Sequence, residues 1–199
     1  MGRELALLQL APSVPWERYR LRAQVQIVGD SGYAGIYTAF YHHAGERGSE
    51  TGFVEIEFNE QNLVEIPEIH RKQARGSGTL RRAVVGLDKD KPGLHISERV
   101  LTPPKHFDGA PETWRTLAME VTPESIGFAI YWDDDSRPWS TVPVHPTLED
   151  AQSFLVEKVP FPNRESPALD LRGGVGLVCE KGKARFRDVV LESLPENKP

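Results

Sequence analysis

The chain has 199 residues and a mass of 22.3 kDa, a size that all-β sandwiches reach as one domain. We take 1–199 as a single β-sandwich domain, either whole or cut from a larger protein. A formal net charge of −5 and a pI near 5.7 exclude nucleic acid as the main partner, since that binding rests on Lys and Arg neutralising phosphates, and no apolar run is long enough to cross a bilayer, so no membrane partner is expected.

The 16 Pro and 17 Gly predict many turns and short elements. Leu5–Leu10 is a short apolar run, predicted as an edge strand and closed by Pro12 and Pro15. Tyr19–Val28 alternates Leu21, Ala23, Val25 and Ile27 with Arg20, Arg22, Gln24 and Gln26; period two marks a strand with one buried face. Tyr33–His42 is apolar or aromatic on both faces, as a central strand is, and puts Tyr37 and Tyr41 on one face by simple alternation. In Phe53–Asn59, Val54, Ile56 and Phe58 alternate with Glu55, Glu57 and Asn59.

Residues 60–78 carry the break Ile66-Pro67 and the flexible Gly76-Ser77-Gly78 and are predicted as a loop. Thr79–Leu87 and Leu94–Leu101 are the next strands, and 102–113, with Pro103, Pro104 and Pro111, is a connection. Trp114–Val121 and Ser125–Trp132 form a hairpin around Thr122-Pro123-Glu124. A loop follows over 133–146, then one helical turn at Thr147–Gln152 capped by Thr147, a strand at Ser153–Val159 and a long connection. The last stretch, Gly173–Leu194, is predicted as a closing hairpin of Gly174–Glu180 and Ala184–Glu192, with Gly182 at the positive φ of the turn. Its second strand changes phase between Phe186 and Val189, which predicts a bulge near Arg187-Asp188. About ten strands and little helix give an all-β, antiparallel two-sheet sandwich.

Three stretches carry a family likeness: YRLRAQVQI with YAGIYTAFY, WRTLAMEVTPESIGFAIYW, and GGVGLVCEKGKARFRDVVLESL. They resemble the concanavalin A-like jelly roll of lectins and glucanases. The third is similar to the last strands of bacterial sandwich domains related to the 3-keto-disaccharide hydrolases, through Gly174, Gly176, Leu177, Phe186, Arg187, Asp188 and Val189. The retaining glucanases of this fold carry Glu-x-Asp-x-Glu on a strand facing the cleft, and the segment 53–58 resembles it. Glu57 then falls on the second Glu and Glu55 on the Asp, while Phe53 falls on the first Glu. Hydrolysis of that kind needs a carboxylate at each of two positions, so the resemblance implies a loss of the glucanase nucleophile at Phe53.

Other constellations are weaker. Asp133-Asp134-Asp135 offers hard oxygen ligands for Ca²⁺, but adjacent residues cannot all turn to one ion, and no cofactor is otherwise expected. Trp139, beyond this turn, is a candidate stacking platform. Arg71, Lys72, Arg75, Arg81 and Arg82 form a basic cluster. The six His are scattered apart from His42-His43, and the lone Cys179 excludes an internal disulfide. The start lacks the basic-then-apolar order of a secretory signal, which points to a cytoplasmic chain or a piece of a larger one.

The expectation is a non-catalytic carbohydrate-binding, lectin-like module using the concave sheet, with Tyr37, Tyr41, Glu55, Glu57, Asn59 and Trp139 as ligand-binding residues. A glycoside or 3-keto-glycoside hydrolase is the enzymatic alternative. A protein-interaction domain is the third, and would show an exposed apolar patch or an unpaired edge strand.

Overall fold

The computed structural model describes residues 5–29, 31–45, 48–62, 73–88, 92–100, 105–108, 114–123, 126–132, 138–142 and 170–196. Every regular element among them is a strand: β1 Leu5–Ala11, β2 Tyr19–Val28, β3 Ser31–Gly45, β4 Gly48–Asn62, β5 Gln73–Asp88, β6 Pro92–Val100, β7 Lys105–Asp108, β8 Arg115–Val121, β9 Ile126–Trp132, β10 Pro138–Val142, β11 Gly174–Glu180 and β12 Lys183–Ser193. They build two antiparallel sheets. One runs β1-β11-β3-β4-β5-β6, with β7 pairing beside β5; the other runs β10-β9-β8-β2-β12. The ends of the chain meet in both sheets, β1 on β11 and β2 on β12. This is the expected all-β, antiparallel two-sheet sandwich.

The core lies between the sheets and follows the alternation read from the sequence. Leu21, Ala23, Val25 and Ile27 of β2 and Leu117, Met119 and Val121 of β8 face Ile36, Val54, Ile56, Phe58 and Leu177 of the larger sheet. The outer face of the smaller sheet is polar: Arg20 spans from Glu120 at 2.9 Å to Glu192 at 3.2 Å, and the Arg187 Nε donates to Gln24 at 2.7 Å. Among the described residues, Arg115, Tyr19 and Thr38 bring polar groups into the core. Arg115 is 1% exposed with its guanidinium 5.7 Å from the Phe58 ring, and Tyr19 reaches across from β2 to bond the Thr38 hydroxyl and donate to the Leu171 carbonyl at 2.7 Å.

The edge strand β1, the central strand β3 and the β8–β9 hairpin stand where expected, the last with Val121 opposite Ile126. The bulge near Asp188 is present: Arg187 opposes Gln24 and Val190 opposes Arg22, with Asp188 at φ 50°.

The closing hairpin is not a hairpin. β11 belongs to the larger sheet and β12 to the smaller, so the segment between them is a corner that carries the chain from one layer to the other. The positive φ falls on Lys181, at 52°, and not on Gly182. Four stretches expected as loop or connection carry strand: 60–62 ends β4, 73–78 opens β5, 105–108 is β7, and 138–142 is β10. Each gains its extended form by pairing with a neighbour, β5, β4, β5 and β9 respectively, a tertiary interaction that local propensity does not encode. The helical turn expected at 147–152, the strand expected at 153–159 and the run 133–135 lie outside the described residues.

Candidate functional site

The site is built on the face of the larger sheet turned away from the core. On β4 the pleat sends Val54, Ile56 and Phe58 into the core cluster and leaves Phe53, Glu55 and Glu57 on the other face. Cross-strand register then decides their company. One row crosses the sheet as Gln9, Gly176, Tyr37, Glu55, Arg81 and Glu98, one residue each from β1, β11, β3, β4, β5 and β6. The adjacent row is Leu7, Val178, Gly35, Glu57, Thr79 and Val100. Tyr37 and Glu55 are thus direct neighbours, and Glu57 sits one row away, about 6.7 Å along β4.

This face is not open. Tyr37 is 0% exposed, and Glu55 and Glu57 are 1% exposed each. Neither carboxylate is isolated; each takes part in a hydrogen bond or charge interaction. The two acids share a face as predicted, and that face is a buried one. Carboxylates are rarely so enclosed without a polar role.

Beside them lies a second, smaller apolar cluster of Tyr37, Phe53 and Val178, with Leu5, Leu7 and Phe40 packed against it. The Tyr37 ring is 5.3 Å from Phe53 and 5.8 Å from Phe40, tilted to both. It extends over Gly176, where a Cβ would overlap the Tyr37 hydroxyl. Tyr37 thus fills the space beside Gly176, while Gln9 and Phe40 lie beside Gly174. Burial pushes the Tyr37 phenol up to about 12, so it stays protonated and able to donate. The open stacking surface expected of Tyr37 is absent in this arrangement.

Tyr41 does not share that face. β3 bulges between Thr38, opposite Val54, and Tyr41, opposite Gly52. Ala39 takes a φ of 56° within the bulge. The extra residue inverts the phase, so Tyr41 shares the face of Thr38 and Val54, with its ring over Gly52. Asn59 lies on β4 opposite Tyr33 and Ser77, one row beyond Glu57. Trp139 lies on β10 of the other sheet and cannot join this group. For Asn59 and Trp139 the backbone position alone is described. The basic cluster also divides: Arg81 falls opposite Glu55 and Arg82 opposite Val54, while 71 and 72 lie outside the described residues.

Sequence reading missed Phe40 as a wall of the site, Arg81 and Glu98 as members of its central row, and Glu180, 3% exposed and opposite Tyr33 in the same sheet. No motif marks them, because only register brings them together. Elsewhere, His42 is engaged by the Thr51 hydroxyl at 2.8 Å. Cys179 is half-buried with its thiol pushed up by burial.

No family model and no curated protein matches the chain. Among solved structures it is similar to sheep galectin-11 in complex with glycerol, at 8% identity over 96% of this chain and 98% of that one, with a TM-score of 0.33. It is also similar to an immunostimulatory antigen and pseudo beta-1,3-glucanase of Mycobacterium tuberculosis, at 15% identity over 88% of this chain and 56% of that one, with a TM-score of 0.32. A beta-porphyranase from the human gut bacterium Bacteroides plebeius aligns at 8% identity over 94% of this chain and 66% of that one, with a TM-score of 0.34. Likenesses this distant carry no functional argument, and the fold assignment rests on the sheet topology itself.

Proposed function

We propose that the chain is a carbohydrate-binding module whose ligand lies on the non-core face of the larger sheet, over Tyr37, Glu55 and Glu57. The observation that supports this is the burial of two adjacent carboxylates and a phenol on a face that takes no part in the sandwich core. The chain itself encloses these groups, so a ligand reaches them only once part of that cover moves aside. Ionised carboxylates accept hydrogen bonds from sugar hydroxyls, and charge-assisted bonds of this kind are the strong ones. Asn59, one row further along β4, would extend the site.

Binding without hydrolysis is the better reading of this face. Phe53 lies in phase with Glu55 and Glu57 and is wholly buried against Tyr37. A phenyl ring there supplies no nucleophile for a double displacement. Calorimetric titration with a panel of neutral oligosaccharides tests the reading. Wild type is expected to bind at least one of them at millimolar affinity or better, with Glu55→Gln and Glu57→Gln each weakening it by about tenfold, roughly the loss of one charged hydrogen bond. An absence of binding across the panel removes the reading.

A second role, pairing with a strand of another protein, is favoured by β1. This terminal strand of the larger sheet carries no charge and no Pro, and its Leu8 and Leu10 are 59% and 43% exposed. Edge strands are ordinarily guarded by Lys, Pro or strong bulges. β12, at the edge of the other sheet, is guarded by Lys183, Arg185 and Arg187 and by its bulge at Asp188. β1 has a register shift near Leu10 but no guarding charge. Leu8→Lys is expected to abolish any association seen for wild type by sedimentation velocity; association that survives the change excludes β1 as its route.

A further inference from the structure

The smaller sheet gathers cations on its outer face. Ala184 and Phe186 of β12 pack against the core, so Lys183, Arg185 and Arg187 alternate outward over about 13 Å of strand. Arg22 of β2 stands on the same face, two residues from Gln24, which opposes Arg187. All four side chains are exposed. Two of them are held by neutral groups. The Arg187 Nε donates to the Gln24 amide oxygen at 2.7 Å, with the guanidinium 4.2 Å from the Trp114 ring. Arg185 donates to the Gln26 amide oxygen at 3.3 Å. Asp188, 3.7 Å from Arg187, is the acid beside them. Lys183, Arg185 and Arg22 have no acidic partner among the described residues. Arg20, on the same face, shows the ordinary arrangement, with Glu120 and Glu192 both bonded to it. Guarding an edge accounts for the cations of β12, but not for Arg22, whose strand lies between β8 and β12.

We propose that this strip is a second binding site, for a polysaccharide that carries sulfate or carboxylate groups. It shares no residue with the face of Tyr37, Glu55 and Glu57, which belongs to the other sheet, and does not depend on the reading of that face. Both glutamine oxygens are taken up by guanidinium groups, so the strip turns mainly donors outward. Donors without acceptors suit the oxygens of sulfate and carboxylate, which only accept, and guanidinium meets them in charge-assisted pairs. The charge is spread over about 13 Å, which calls for several anions along one chain rather than a single free ion. An acidic peptide would add as a strand along the outer edge of β12, and the bulge between Arg187 and Val190 interrupts that edge. Nucleic acid is disfavoured by the net charge of −5. A polysaccharide lying across the side chains needs neither a backbone edge nor a positive charge on the whole molecule.

Titration of the full chain with dextran sulfate, polygalacturonate and neutral dextran at low salt tests this. Wild type is expected to bind at least one of the two polyanions and not dextran, and to lose affinity as salt rises. Arg22→Gln and Arg185→Gln are each expected to weaken that binding by about fivefold or more. Arg20→Gln removes the same charge from a cation already neutralised and is expected to change it by less than about twofold. All three replaced side chains lie on the solvated face of the sheet, so the variants keep the fold. No binding to either polyanion overturns the proposal. So does an Arg20→Gln loss as large as the other two, which would mark an effect of net charge alone. Polyglutamate or oligo-dT binding as tightly as the polyanionic polysaccharides overturns the choice of a polysaccharide.

Discussion

Gly35 holds β3 close to β4 at the densest part of the candidate site. It lies opposite Glu57, and a Cβ at this position would overlap the Ile56 carbonyl oxygen and lie 2.8 Å from the Glu57 Cα. Backbone cannot swing aside as a side chain can, so the strands would have to part. Gly35→Ala is expected to destabilise the protein by about 3 kcal/mol, the upper range for overpacking, and to displace Glu57; urea unfolding checks the first effect. Gly52 makes the contrast. There a Cβ meets only the Tyr41 ring, the far end of a flexible side chain, so Gly52→Ala is expected to cost less. At this scale alternation identified Glu55 and Glu57 as one-face neighbours. It failed at Tyr41, because Ala39 adopts a left-handed φ of 56° that an alanine in a strand pattern does not announce.

The corner between β11 and β12 shows the limit at the scale of elements. Two strands joined by a Gly-bearing turn have the signature of a hairpin, and the local sequence is the same for a corner between layers. What separates the two is whether an edge is free. Both edges of β11 are taken, one by β1 and the other by β3, so β12 must pair elsewhere and does so with β2. The sharp change of direction falls on Lys181, whose φ of 52° is the region an L-residue enters at a cost of about 1–2 kcal/mol. Its ammonium lies 5.3 Å from the Tyr33 ring and 3.9 Å from Glu180, contacts that recover a fraction of that cost at an exposed position. Lys181→Gly is therefore expected to raise stability by about 0.5–1 kcal/mol, seen as a higher urea midpoint with unchanged m-value.

At the scale of the molecule, Tyr19 links the two sheets through Thr38 and ties both to Leu171 near the start of the closing segment. Tyr19→Phe strands the Thr38 hydroxyl and the Leu171 carbonyl in the core and is expected to cost about 2 kcal/mol. The same phenol, with Tyr37, governs behaviour in alkali. Burial raises both above the ordinary tyrosine value of 10, Tyr37 to about 12 and Tyr19 further. Above pH 10 the unfolded chain releases these protons while the folded chain keeps them, so the unfolded state binds fewer protons and stability falls as pH rises. Below pH 10 their contribution is constant. Between pH 10 and 12 the slope is expected to steepen toward roughly 2.7 kcal/mol per pH unit for two phenols. Urea titrations at several alkaline pH values measure it, and the double variant Tyr19→Phe with Tyr37→Phe is expected to lose this part of the pH dependence.

The sequence by itself determined the fold class, the central place of β3, the β8–β9 hairpin, the bulge at Asp188 and the common face of Glu55 and Glu57. All of these follow from period-two patterning and turn chemistry, which act over a few residues. Tertiary structure alone decided that β11 and β12 part to different sheets, that Trp139 stands on the opposite layer from Glu55, that Arg81 and Glu98 join the row of Tyr37, and that Tyr37, Glu55 and Glu57 are buried. These depend on register and on which strand edges remain free. Both are set by pairings between residues far apart in the chain, and no local pattern records them.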